Sequence, residues 1–208
     1  MYEKYVKRPF DLVASVLGLL VGSPLLLLIA TAILIDAPGP VLYRQQRVGR
    51  SGKRFQILKF RSMLPMERSA LPNGEVMPNE DRVTRVGRVL RRSGLDELPQ
   101  LINVIRGEMS LVGPRPTLPY QVERYTESQR RRLQVRPGLT GLAQVMGRND
   151  LTWDQKIEFD VEYVRNITAA RDLRIILRTV RVILGGRGVA FKKPDSLSSH
   201  ESDYWRDI

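Results

Sequence analysis

Residues 12–35 read Leu-Val-Ala-Ser-Val-Leu-Gly-Leu-Leu-Val-Gly-Ser-Pro-Leu-Leu-Leu-Leu-Ile-Ala-Thr-Ala-Ile-Leu-Ile, without a single charge. A helix needs about 20 apolar residues to cross a hydrocarbon core of about 30 Å, so this run belongs in or on a membrane. It is too long for the apolar part of a cleaved leader, and no convincing small-residue cleavage site precedes Asp36-Ala37-Pro38. Ser23-Pro24 stands at its middle. Proline removes a backbone donor and clashes with the preceding turn, while the serine hydroxyl can satisfy the freed carbonyl, which predicts a kink. Lys4, Lys7 and Arg8 precede the run, and Arg44, Arg47, Arg50, Lys53, Arg54, Lys59 and Arg61 follow it with no acid between Ala37 and Met66. Basic residues on both sides give the positive-inside rule no asymmetry to act on. The simplest reconciliation puts both ends in the cytoplasm, with a helix entering and leaving by one face; a proline-kinked spanning helix is the alternative on the same residues.

At 208 residues the chain fits one domain able to bury a real core. Its net charge of +12 favours phosphate-rich partners such as lipid headgroups, nucleotides or nucleic acids. There is no cysteine, and the one histidine, His200, lies in a polar C-terminal tail. Thiol chemistry, a histidine base and a Cys/His zinc site are thereby disfavoured. An enzyme built from this chain must use Asp and Glu.

The rest reads as α+β, predominantly helical with a small β-hairpin. Val41 to Arg47 and Arg54 to Met63 are strand-like and separated by Gly49-Arg50-Ser51-Gly52. Pro65 to Asp81, with three prolines, reads as a loop. Arg82 to Arg92 reads as a basic amphipathic helix suited to an anionic headgroup layer, and Leu98, Leu101, Ile102 and Ile105 mark the core face of the next helix. Gln121 to Gln134 reads as a charged helix, Val135 to Gly141 as a loop, and Trp153 to Val164, capped by Thr152, and Asp172 to Leu184 as two further helices. The organisation is a membrane helix over 1–36, a catalytic region over 37–190 with interfacial helices, and a polar tail over 191–208.

Asp96 and Glu97 stand at an apparent helix start, with Pro99 in the first turn, so Asp96 reads as an N-cap. A capping Asp with an acidic neighbour is the plain reading. Arg88, Arg91 and Arg92 just upstream and the helix N-terminus favour an ionised carboxylate. Such an aspartate, in a phosphate-attracting setting, can attack phosphorus to give an acyl phosphate, with magnesium as the matching cation. Pro114-Arg115-Pro116 holds an arginine between two rigid residues, and Gly147-Arg148-Asn149 reads first as a turn and second as an anion contact. No helix-turn-helix, zinc-finger or aromatic RNA-binding signature supports a nucleic-acid partner. A non-catalytic membrane scaffold would require Asp96 to be dispensable. Nothing in the sequence sets the oligomeric state.

Lys7-Arg8-Pro9-Phe10-Asp11, Ser23-Pro24, Lys59-Phe60-Arg61-Ser62-Met63, Leu95-Asp96-Glu97-Leu98-Pro99-Gln100, Met109 to Pro116, Arg136 to Gly141, Gln144-Val145 and Gly147-Arg148-Asn149 form an ordered series over nearly the whole chain. In this the chain resembles the bacterial sugar transferase family, the small monotopic polyprenyl-phosphate phosphoglycosyl transferases. The resemblance implies transfer of a sugar 1-phosphate from a UDP-sugar to a membrane polyprenyl phosphate such as undecaprenyl phosphate, with release of UMP. It implies Asp96 as the residue that carries the phosphosugar covalently and binds Mg2+, Glu97 as its dyad partner, and Lys59, Arg91, Arg115 and Arg148 as phosphate or nucleotide contacts. It also implies a re-entrant helix broken at Ser23-Pro24, embedded among bilayer phospholipids, with the catalytic region on the cytoplasmic face of the bacterial inner membrane. The product would feed glycoconjugate assembly such as exopolysaccharide biosynthesis.

Overall fold

The structure is a computed structural model and describes residues 2–65, 68–69, 77–78, 80–147 and 150–184. Among them the architecture is mostly helical with small sheets, as the sequence implies. Helix α1 (Arg8–Asp36) follows a π-helical turn (Glu3–Lys7) and contains Pro24. Its helical backbone continues through Ser23-Pro24, so the break expected there is not an interruption of the helix. One proline removes one donor, and the Ser23 hydroxyl replaces it by donating to the Leu20 carbonyl at 2.8 Å, the group that an N–H at position 24 would have bonded.

One stripe of α1 packs inward along Asp11, Ser15, Ile29 and Ile33. Near its start, Asp11 accepts from Ser110 Oγ (2.6 Å) and the Leu111 amide (3.2 Å), and Arg8 donates to the Val104 and Ile105 carbonyls. Near its end, Ile29 and Ile33 join Phe60 and Leu90 in one apolar cluster, and Asp36 Oδ2 accepts from the Val86 amide at 2.9 Å. Both ends are therefore fastened to the same body. The opposite face leaves Leu17, Leu20, Val21, Leu27, Leu28 and Ile35 exposed. Such a contiguous apolar face marks a surface that water does not cover in the working molecule.

Strands β1 (Leu42–Val48) and β2 (Arg54–Phe60) pair antiparallel, Tyr43 opposite Lys59 and Gln45 opposite Ile57, across a 3₁₀ turn (Arg50–Gly52). Helix α2 (Arg85–Ser93) begins three residues later than expected because Val83 bridges Met63 and Thr84 takes the N-cap, its Oγ1 accepting from the Gly87 amide. Helix α3 (Gln100–Ile105) is tied to β2 by the fully buried Asn103, which accepts from the Leu58 amide and donates to the Gln56 carbonyl.

Three expectations need correction. The stretch 135–141 is not only a loop: β4 (Gly138–Thr140) pairs in parallel with β3 (Ser110–Val112). Glycine makes that approach possible, since a Cβ at Gly138 would lie 2.1 Å from the Gly113 nitrogen. The single helix expected over 121–134 divides into α4 (Pro119–Glu123), α5 (Glu127–Arg130) and a 3₁₀ turn (Arg131–Gln134), because Thr126 forms a capping box with Gln129 and starts a new helix. A short helix α6 (Leu142–Met146) also follows β4. Helix α7 (Trp153–Arg165) carries the expected Thr152 cap, and α8 (Ala169–Leu184) starts before Asp172. Asp172 is buried against Lys7 Nζ (2.6 Å) and the Tyr163 hydroxyl (2.7 Å), which pins the N-terminal segment to α8. The tail 191–208, with His200, and most of the loop over 65–81 lie outside the described residues.

Candidate active site

Helix α2 ends at Gly94, whose φ of 74° reverses the chain without the strain a side chain would bring. A 3₁₀ turn (Leu95–Glu97) follows directly. Residues three apart on a 3₁₀ turn share a side, and Leu95 and Leu98 both pack against the Phe60 and Leu90 cluster. Asp96 and Glu97, between those anchors, line an open cleft of about 1770 Å³. Asp96 is thus held in an elbow between two helices. It does not cap α3, whose cap position is Pro99 and which has no side-chain cap bond, so the N-cap expectation is corrected.

The two carboxylates are treated differently. Glu97 Oε1 accepts from Lys59 Nζ at 2.8 Å and from Arg115 Nη2 at 2.7 Å. Burial works to raise its pKa, but the Arg115 and Lys59 cations override it and hold the carboxyl below the ordinary range. Asp96 is partly exposed and, among the described residues, receives no hydrogen bond or ion pair. Burial, assisted by the charge of Glu97, pushes its carboxyl up, against the pull of Lys59, Arg91 and Arg115. The expectation that flanking arginines favour an ionised Asp96 is therefore reversed in net effect: partial desolvation outweighs cations that never reach hydrogen-bonding distance.

Lys59 and Arg115 thus reach the site as partners of Glu97. Arg91 lines the cleft with its Nε donating to Ser62 Oγ at 2.7 Å, an approach open because Gly87 lies against the Ser62 backbone. Arg148 falls outside the described residues. Sequence reading missed the group that fixes Arg115. Buried Arg132 donates to the Arg115 carbonyl at 2.8 Å, to the Tyr125 hydroxyl and to Asp160 on α7, and Tyr125 in turn bonds Thr117 Oγ1 at 3.0 Å. Arg132, held by Asp160 and Tyr125, thereby fixes the Arg115 backbone, and Tyr125 holds the Thr117 side chain. Burial raises the Asp160 carboxyl while Arg132 opposes it. Nothing local could have exposed this pairing, because Arg132 sits in an arginine-rich run and Asp160 occupies an ordinary helical position.

A bare carboxylate beside one locked by two cations, in a cationic cleft next to an exposed apolar helix, suits phosphoryl chemistry at a membrane surface. Comparison with known proteins places the chain in a class. The profile of the bacterial sugar transferases matches residues 2–186, and the chain belongs to that family. It is 47% identical over 186 residues to the UDP-glucose:undecaprenyl-phosphate glucose-1-phosphate transferase of Caulobacter vibrioides, covering 86% of this chain and 69% of that protein. It is 44% identical over 184 residues to an uncharacterized sugar transferase, EpsL, of Bacillus subtilis (88% and 90%). The undecaprenyl-phosphate galactose phosphotransferase of Salmonella typhimurium is 42% identical over 196 residues, covering 88% of this chain but 41% of that protein, so the chain spans less than half of that relative.

Proposed function

We propose that this chain moves a sugar 1-phosphate from a UDP-sugar to a membrane polyprenyl phosphate in two displacements through Asp96. An Asp96 carboxylate oxygen attacks the β-phosphorus. The bond from that phosphorus to the bridging oxygen breaks, UMP leaves, and an acyl phosphate bearing the sugar remains on Asp96. A phosphate oxygen of the polyprenyl phosphate then attacks the same phosphorus, the acyl-phosphate bond breaks, and polyprenyl diphosphate sugar leaves with the aspartate regenerated.

The single observation that carries this reading is the unequal state of the dyad. A carboxylate that, among the described residues, accepts no hydrogen bond or ion pair keeps its nucleophilicity once ionised. Glu97, clasped by Lys59 and Arg115, holds those two cations beside it, where they can meet the charge that develops on the transferring phosphoryl group. The named activities of the Caulobacter and Salmonella relatives are of this kind.

Magnesium fits this site only as a shared ligand. Among the described residues no cluster of three acidic, histidine or cysteine side chains could hold a metal, but Asp96 offers uncommitted oxygens. Magnesium commonly takes one or two carboxylates and completes its shell with substrate phosphates and water. Bound so, it would neutralise diphosphate charge.

The fastening of both ends of α1 to one body supports a helix whose two ends stay on the same face of the bilayer; that face is proposed to be the cytoplasmic one. The test is incubation of the protein in lipid nanodiscs with magnesium, polyprenyl phosphate and a panel of labelled UDP-sugars. The expected result is label in the lipid extract with equimolar UMP for at least one sugar, lost in Asp96→Asn. Normal turnover by Asp96→Asn would overturn the proposal.

A further inference from the structure

The cleft that holds the dyad is also lined by an aromatic group that the transfer chemistry does not use. Trp153 opens α7 and stays 42% exposed although it lines the cleft. Its indole is backed by the Arg132 guanidinium, 6.0 Å from the ring centroid, and by Tyr125, at 6.5 Å between centroids and tilted by 32°. Both supports are themselves buried and hydrogen-bonded to each other. The ring is therefore a rigid shelf with one side braced by protein.

Lys156 stands one turn further along α7, on the same side of the helix, and also lines the cleft. Among the described residues no carboxylate pairs with it. It lies close enough to Arg115 for the two cations to repel. Glu97 answers Arg115, which leaves Lys156 beside it as a cation that an added anion would relieve. Glu97 thus bonds Arg115, Arg115 lies near Lys156, and Lys156 stands one helical turn from Trp153: a carboxylate, two cations and a flat aromatic face in succession.

We infer that, in a nucleotide-sugar cleft, Trp153 and Lys156 form the subsite for the leaving nucleoside monophosphate, the base lying on the indole and the phosphate against Lys156 and Arg115. The chemistry matches part by part. The reacting phosphorus must meet Asp96, so the leaving phosphate falls toward Lys156, and its nucleoside falls beyond that. Arg132 and Asp160 act here as positioning residues, bracing the shelf and the Arg115 backbone together.

The chain has two tryptophans, so Trp205→Phe leaves Trp153 as the sole indole reporter. Titration of that protein with UMP, with no sugar donor present, should quench its emission saturably, and hexose 1-phosphate should not. By equilibrium dialysis with labelled UMP, Trp153→Ala should weaken binding about tenfold, with Trp153→Phe restoring most of it. Lys156→Gln should weaken UMP but leave uridine unaffected. Asp96→Asn should keep UMP affinity while losing transfer. Quenching by hexose 1-phosphate in place of UMP, or full UMP affinity in Trp153→Ala, would overturn the subsite. A protein that binds UMP on Trp153 yet transfers no sugar phosphate would overturn the transferase reading alone. One that transfers normally while Trp153→Ala keeps its KM would overturn the subsite alone.

Discussion

At the residue scale, two adjacent carboxylates differ: Glu97 is locked by two cations, while Asp96 accepts no hydrogen bond or ion pair among the described residues. Folding raises the pKa of Asp96, so its ionised form is disfavoured in the native state, and stability falls as pH rises through that raised value. Asp96→Asn removes the penalty. Its midpoint of thermal unfolding should equal or exceed that of the wild type at pH 8, with the gap closing as the pH is lowered through the raised Asp96 value. Glu97 behaves oppositely: its folded pKa is depressed, so its contribution is complete above the ordinary glutamate value of about 4.3 and is lost on acidification below it. Glu97→Gln leaves Lys59 and Arg115 without their anion and should lower stability at pH 7 by about 1–3 kcal/mol, measured by denaturant titration, with a flatter dependence on acid. Since Asp96 must be ionised to attack, single-turnover transfer should rise with pH through an apparent pKa above about 4, the value of a free aspartate. The pairing of Asp96 with Glu97 was legible in the sequence. Their division of labour was not, because Lys59 comes from a strand 38 residues upstream and Arg115 from a loop 18 residues downstream.

Elements whose forces are local were readable, and those made by distant backbones were not. The apolar run, the hairpin and the capped start of α7 each carry their signal within one short contiguous stretch of chain. Strands β3 and β4 are three residues long and pair across 28 positions through glycine contacts, a length at which no periodicity shows. Gly87 illustrates such a contact at the site itself: an added Cβ would lie 2.0 Å from the Ser62 carbonyl oxygen, so α2 would have to move. Gly87→Ala should therefore draw Arg91 away from Ser62, lower stability by about 1–3 kcal/mol and depress turnover, measured by unfolding and by UMP release. For α1, the absence of native cysteine allows clean single-cysteine labelling. Glu3→Cys and Pro40→Cys should react with an impermeant maleimide from the same side of sealed vesicles. Labelling from opposite sides would establish a spanning helix.

At the scale of the whole molecule, one helix joins an apolar outer face to a basic body that carries the cleft. Adsorption by charge alone would be reversed by salt, whereas burial of the Leu17, Leu20, Val21, Leu27 and Leu28 face would not. The chain should stay with membranes through a 1 M salt wash, where the Debye length is about 3 Å, and leave only in detergent. On the proposed function, that arrangement would bring a water-soluble nucleotide and a lipid phosphate to one aspartate. The account rests on the Asp96 carboxylate becoming phosphorylated by the donor before the lipid arrives. Mass spectrometry of the protein incubated with magnesium and a donor UDP-sugar, without polyprenyl phosphate, measures this directly. The account predicts the mass of one sugar phosphate on the peptide carrying Asp96, absent in Asp96→Asn and discharged by polyprenyl phosphate. An unmodified peptide, with UMP appearing only when both substrates are present, would contradict it.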